Sequence, residues 1–163
     1  ADGYNVSDGK TRSSGIETDL AFHPNDIHTL ALVATYARHR YDFTRDASRG
    51  ETIISGNDVD TAPRWLASAH WRAQFTERTT SEFELSHIGP HFINAANTAK
   101  YSGHTLLNWR GNWELSNKLR LFVRMINLLD KEYADRADYA FGSYRYFPGL
   151  PRQFYLGAEF EFN

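Results

Sequence analysis

From residue 154 to 162 the chain alternates without a break. Phe154, Leu156, Ala158, Phe160 and Phe162 fall on one side, and Tyr155, Gly157, Glu159 and Glu161 on the other. A side-chain period of two marks a β-strand with two unlike faces. Paired carboxylates on one face require water, because an unpaired buried charge is prohibitively expensive. The apolar face then has two destinations, a second protein layer or lipid.

The same pattern recurs upstream. Residues 64–75 place Trp65, Ala67, Ala69, Trp71, Ala73 and Phe75 against Ser68, His70, Arg72 and Gln74. Residues 102–115 set Thr105, Leu107, Trp109, Gly111, Trp113 and Leu115 against Asn108, Arg110, Asn112 and Glu114. Further alternating strands are predicted in the second half of 4–22, over 81–92 and over 119–129. Residues 27–43 are ambiguous, since Leu30, Leu32, Ala34 and Tyr36 compete with Ala31, Val33 and Thr35 for the apolar face. Their β-branched and aromatic content favours strand over helix. The total is about seven strands.

The connections alternate in length. Short turns are predicted at 23–26, 76–80 and 116–118, and long loops at 44–62, 93–101 and 130–151. A meander with short turns at one end and long loops at the other is the organisation of an outer-membrane barrel. A structureless loop of about twenty residues counts against a compact soluble domain. Tryptophan near both ends of the apolar faces, with smaller residues between, fits aromatic girdles at two membrane interfaces. The fold class read from these patterns is all-β, an antiparallel up-and-down transmembrane β-barrel. A soluble antiparallel sheet also alternates. Two other readings therefore stay open: a small self-contained barrel of structural or adhesive role, and a soluble β-sheet module that binds carbohydrate.

Composition narrows the function. A formal charge of −2 without a basic run argues against a nucleic-acid partner. The 163 residues include no cysteine, which removes disulfide and thiolate–metal frameworks. No nucleophile elbow, phosphate loop or metal-binding helix motif occurs, so neither enzyme chemistry nor a cofactor is expected. Seven strands are an odd number, and bacterial single-chain barrels close with an even one. The charged wet faces would also crowd a narrow interior. The chain therefore reads as a slice of a wider barrel.

Four segments, in order, resemble those of TonB-dependent outer-membrane receptors of the siderophore-receptor type. Residues 10–20 resemble the family's R-S-x-G-x-E strand, and Ala62-Pro63-Arg64 its A-P-R strand entry. Asn127-Leu128-Leu129-Asp130-Lys131-Glu132-Tyr133 resembles N-L-F-D-K-x-Y, with Leu129 in place of Phe. Pro148-Gly149-Leu150-Pro151-Arg152 resembles the P-G-x-P-R entry to the last strand. The resemblance implies a C-terminal portion of a 22-stranded barrel with a plugged lumen, whose plug and TonB box lie outside this chain. It implies the outer membrane of a Gram-negative bacterium and uptake of a scarce nutrient, a ferric siderophore being the leading case. It also implies contact with outer-membrane lipid, with the TonB complex through the missing N-terminal part, and with the barrel-assembly machinery. That machinery would read a terminal aromatic signal at Phe160 and Phe162; Asn163 after them departs from the pattern.

Asn127 and Asp130 are expected to set a turn, with Tyr133 and Arg152 in the same motif, while Pro148, Gly149 and Pro151 fix re-entry into the final strand. Between them, Tyr139, Phe141, Tyr144 and Tyr146 interleave with Arg136 and Arg145. Such a loop can stack on a planar, anionic ligand, or its rings can pack the loop itself. His87 and His91, four apart, have metal-ligand spacing on a helix but not on a strand; on a strand they would share a face about 13 Å apart at Cα, from which they could still meet the ligand near the outer mouth.

Overall fold

A computed structural model describes residues 9–46 and 52–162. The start of the predicted first strand, part of the first long loop and Asn163 lie outside these residues. The elements are β1 (Thr11–Phe22), β2 (His28–Tyr41), β3 (Arg45–Asp46), β4 (Thr52–Ile53), β5 (Trp65–Thr76), β6 (Thr79–Ile88), β7 (His91–Phe92), β8 (Lys100–Tyr101), β9 (His104–Ser116), β10 (Leu119–Ile126), β11 (Ala134–Ala140), β12 (Ser143–Pro148) and β13 (Gln153–Phe160). Seven of them form one antiparallel sheet in the order β1-β2-β5-β6-β9-β10-β13. It is a meander that remains open at β1 and β13. The other six strands pair as three two-stranded ladders in the long connections.

The registers sort every side chain. Phe22 stands opposite Leu30, Leu30 opposite Trp71, Trp71 opposite Phe83, Phe83 opposite Trp109, Trp109 opposite Met125, and Met125 opposite Phe154. This apolar rung crosses the whole sheet. It begins on β1 beside a short turn and ends on β13 beside a long loop, so the strands are staggered, as tilted barrel strands must be. The ambiguity in β2 is resolved by the same registers. Leu32 pairs with Leu20 and Ala69 on the apolar side, while Val33 pairs with Asp19 and Ser68 on the polar side.

Among the described residues, no second layer covers the apolar face. Ile16 is 71% exposed, Leu20 57%, Phe22 62% and Leu156 69%. In water such a continuous surface would be a large liability; in hydrocarbon it is the required one. The tryptophans sit differently from two rim girdles. Trp65 lies at a strand end against Tyr36, with ring centroids 4.8 Å apart. Trp71 and Trp109 occupy the middles of their strands and sandwich Phe83, with centroids 5.7 and 6.4 Å away. Gly111 leaves room for this, since a Cβ there would lie 2.6 Å from the Trp113 ring and 3.1 Å from that of Trp109.

The segment expected as one loop over 130–151 instead contains the β11–β12 hairpin. Its two-residue turn, Phe141-Gly142, has φ of 56° and 79°, the left-handed pair that matches strand twist. Asn-Gly normally announces such a turn, and Phe141 hides it. The loops over 44–62 and 93–101 likewise carry the short β3–β4 and β7–β8 ladders.

Candidate functional site at the long-loop rim

All three long connections emerge at one end of the sheet and pack on one another. Among the described residues, the buried hydrophobic cluster lies there, not in the sheet. Ile93, Ala134 and Ala137 are buried, with Ala99 and Tyr101 against them. Asparagines hold the backbone around it. Asn94 Oδ1 accepts from Thr98 N (3.0 Å) and Ala99 N (3.1 Å). Asn97 ties the second loop to the first, donating to Asp58 O (2.9 Å) while its Oδ1 accepts from Asp58 N (2.8 Å). Thr61 N donates to Phe92 O at 2.8 Å. None of these asparagines carried a distinctive sequence signal beyond the polar character of residues 93–101, although local side-chain-to-backbone bonding is what asparagine does in turns.

The 127–133 and 148–152 segments meet as a single knot. Asn127 is fully buried with φ of 51°. Its Nδ2 donates to Lys131 O (2.9 Å) and Leu150 O (3.1 Å), and its Oδ1 accepts from Lys131 N (2.9 Å). Asp130 Oδ1 accepts from Arg152 N at 2.9 Å. Tyr133 lies over Gly149, where a Cβ would stand only 2.1 Å from the ring, and Gly149 N donates to Tyr133 O at 2.9 Å. The other face of the knot is His104, whose ring centroid lies 4.5 Å from that of Tyr133. Pro148 ends β12, and Pro151 precedes Gln153, where β13 begins. Phe160 and Phe162 meet edge to face at the chain's far end, 4.8 Å between centroids.

The arginines and rings of residues 134–148 are largely engaged within the hairpin. Arg145 donates two bonds to the buried Asp138 carboxylate, from Nε to Oδ1 (2.7 Å) and from Nη2 to Oδ2 (3.0 Å). Arg136 pairs with the same carboxylate from the other side. Both guanidiniums lie over the Phe147 ring, at 5.4 and 5.5 Å. Tyr139 and Tyr144 face each other across the ladder, 5.0 Å between rings. Phe141 and Tyr146 remain exposed, at 75% and 56%.

The Arg145 hydrogen bonds, helped by Arg136 against the opposing effect of burial, hold the Asp138 carboxyl below the ordinary carboxylate range. Because the folded value is depressed, the clamp's contribution is complete above the ordinary value and is lost only as pH falls through the lowered one. Amide-exchange protection over 134–148, corrected for intrinsic rates, should therefore hold from neutral pH into mild acid and collapse below it. Asp138→Asn should lower protection at neutral and mildly acid pH and converge with the wild type below the lowered value.

His87 and His91 do not converge. His87 pairs in register with Ala67 and Thr105, so it lies on the apolar side, and its Nδ1 bonds Thr105 Oγ1 at 2.8 Å. β6 ends at Ile88, and Pro90 intervenes before His91, whose Nδ1 approaches Gly89 O at 3.1 Å. A shared strand face was thus the wrong expectation, because the strand stops between them. His91 instead borders a cleft with Tyr101, His104, Asp135 and Arg136, of about 160 Å³. His104 follows the polar face and is tied to Tyr101 OH through Nδ1 at 2.9 Å. This cleft was not legible in the sequence, because its walls come from three separate connections.

Below the rim, the polar face carries an ionic network. Arg110 reaches Glu82 (2.8 Å) and Glu84 (3.7 Å), His70 contacts Glu82 (3.2 Å), and Arg120 bridges Glu114 (3.2 Å) and Glu159 (3.3 Å). Among the described residues no group of His, Cys, Asp and Glu is arranged to hold a metal ion.

Residues 2–128 match a family model described as TonB dependent receptor-like, beta-barrel. No curated protein matches the chain in sequence. Solved structures match over nearly its whole length. The siderophore receptor PiuA from Acinetobacter baumannii superposes with a TM-score of 0.78 at 18% identity, covering 93% of this chain and 22% of that one. The ferric yersiniabactin uptake receptor FyuA from Yersinia pestis gives 0.77 at 17% identity, covering 95% and 24%. The copper transporter OprC gives 0.67 at 16% identity, covering 93% and 24%. The chain thus spans about a quarter or less of the length of these structures.

Proposed function

Because this chain belongs to the TonB-dependent receptor-like β-barrel family, as a C-terminal barrel portion, and shares that family's place in the Gram-negative outer membrane, we propose that it forms wall and extracellular loops of a nutrient-uptake receptor. The cargo best supported is a ferric siderophore. The observation that carries this reading is the joint one: a sheet with a bare apolar side, an ionic opposite side, and all long connections gathered at one rim. The apolar side meets lipid, and the ionic side lines a wet lumen. The rim then receives the ligand, through the exposed ring of Tyr146, the turn at Phe141, and the cleft walled by His91 and Arg136. Rings and guanidiniums suit a flat, anionic metal chelate. In this reading the plug and the segment that engages the TonB complex lie elsewhere in the receptor. The last strand, with Phe160 and Phe162, is what the assembly machinery recognises.

The test uses the full receptor in iron-limited cells. Replacing residues 134–148 with a short Gly-Ser link should reduce uptake of iron-55 chelates at least tenfold, at equal surface abundance. A panel of catecholate, hydroxamate and citrate chelates identifies the cargo class. Unchanged uptake of every chelate, with copper uptake lost instead, would replace iron by copper as cargo.

A further inference from the structure

Above the apolar belt, the lipid-facing side of β1 and β2 changes chemistry within one rung. Ile16 stands opposite Tyr36; the next same-side pairs are Ser14 with Arg38 and Arg12 with Arg40. That ladder runs without a bulge, so the three arginines project from the same side as Ile16 and Tyr36. Like charges directly opposite each other weaken a strand pair; Asp58 is bridged to Arg40 through the backbone, but the carboxylates nearby make their ion pairs with other cations. Asp58 is taken by Arg38 (3.5 Å) and Arg64 (2.5 Å), and Asp42 by Lys10 (3.2 Å). Arg12 and Arg40 make no ion pair among the described residues. The buried Nε of Arg40 has no hydrogen-bond partner. Immediately beside the patch, a cleft walled by Tyr36, Trp65 and Phe92 carries Lys100 at its edge, its ammonium 5.6 Å from the Phe92 ring centre.

We propose that Arg12, Arg38 and Arg40 seat the phosphorylated head group of an outer-leaflet lipid. The inference rests on the membrane orientation given under Proposed function. If the apolar belt meets hydrocarbon, side chains just above it at the long-loop rim stand at head-group level. A guanidinium is planar and forked, and binds phosphate through paired hydrogen bonds. One phosphate between Arg12 and Arg40 turns their mutual repulsion into attraction. The adjoining aromatic cleft accepts the first carbons of an acyl chain.

The experiment uses the full receptor in phosphatidylcholine nanodiscs, titrated with diphosphoryl lipid A, its dephosphorylated form, or inorganic phosphate. Wild type should bind the diphosphoryl lipid at least tenfold more tightly than the R12Q/R38Q/R40Q variant, with Arg72→Gln, on the lumen side, behaving as wild type. The double variant R12Q/R40Q provides the same comparison if the triple one loses heat-modifiable migration. Equal binding by wild type and variant overturns the proposal, as does equal binding of the dephosphorylated lipid. Equal binding of free phosphate overturns it in favour of an anion site without lipid. A nitroxide at Leu32→Cys separates the two levels of inference. If that label reports water rather than hydrocarbon, the membrane orientation itself fails; if it reports hydrocarbon while lipid binding is unaffected, only the arginine site does.

Discussion

Trp109→Arg in the full receptor should destabilise folding into lipid vesicles by about 2–4 kcal/mol, and Arg72→Ala by less than about 1 kcal/mol. Trp109 sits mid-strand in β9, opposite both Phe83 and Met125. Its ring contacts Phe83 and Trp113, and its indole N–H donates to Ser81 Oγ at 2.9 Å. Arginine at that depth must desolvate its charge or drag water inward, and it forfeits the ring contacts as well. Arg72 points to the opposite side and makes no ion pair among the described residues. It is a better control than Arg110, whose loss would strand Glu82. Urea titration of vesicle-folded receptor measures both. Equal costs would mean that the two faces see the same environment, and the membrane assignment would be lost.

Asn127→Ala should cost about 3–5 kcal/mol. Three hydrogen bonds of the fully buried Asn127 side chain disappear, and backbone groups of Lys131 and Leu150 lose their partners. Alanine also resists the left-handed backbone that asparagine tolerates there. The two contributions separate by substitution. Asn127→Gly relieves the backbone but not the bonds, and should recover only about 1 kcal/mol. Asn127→Asp keeps the acceptor and loses the donors, and should fall between wild type and alanine. The midpoint of heat-modifiable migration ranks the series. Full recovery with glycine would reduce the role of Asn127 to backbone conformation alone.

Much of the sheet was legible because period-two alternation and connection length are local properties. The faces of β5, β9 and β13 follow directly from Trp65–Phe75, Thr105–Leu115 and Phe154–Phe162. Residues 27–43 were not decidable alone, since both faces of β2 carry apolar side chains. Only the register opposite Asp19 and Ser68 assigns Val33 to the polar side. The rim was less readable. The β11–β12 turn uses Phe141 where a sequence signal would need asparagine, and the pairing of Asp138 with Arg145 depends on that turn. His87 and His91 are close in sequence, yet Ile88 ends a strand between them. The asparagines at 94, 97 and 127 bond to backbone brought near by other loops, which no local pattern reveals.

The oblique course of the rung from Phe22 to Phe154 bears on how the wall carries load. Interstrand hydrogen bonds lie perpendicular to antiparallel strands, so in tilted strands they are neither parallel to the membrane nor normal to it. Tension drawn toward the periplasm pulls each strand partly along its own axis. Along a ladder as long as that from Thr11 to Phe22, the pull is shared by many bonds in shear instead of opening them one at a time. Such a wall resists distortion along its own tilt.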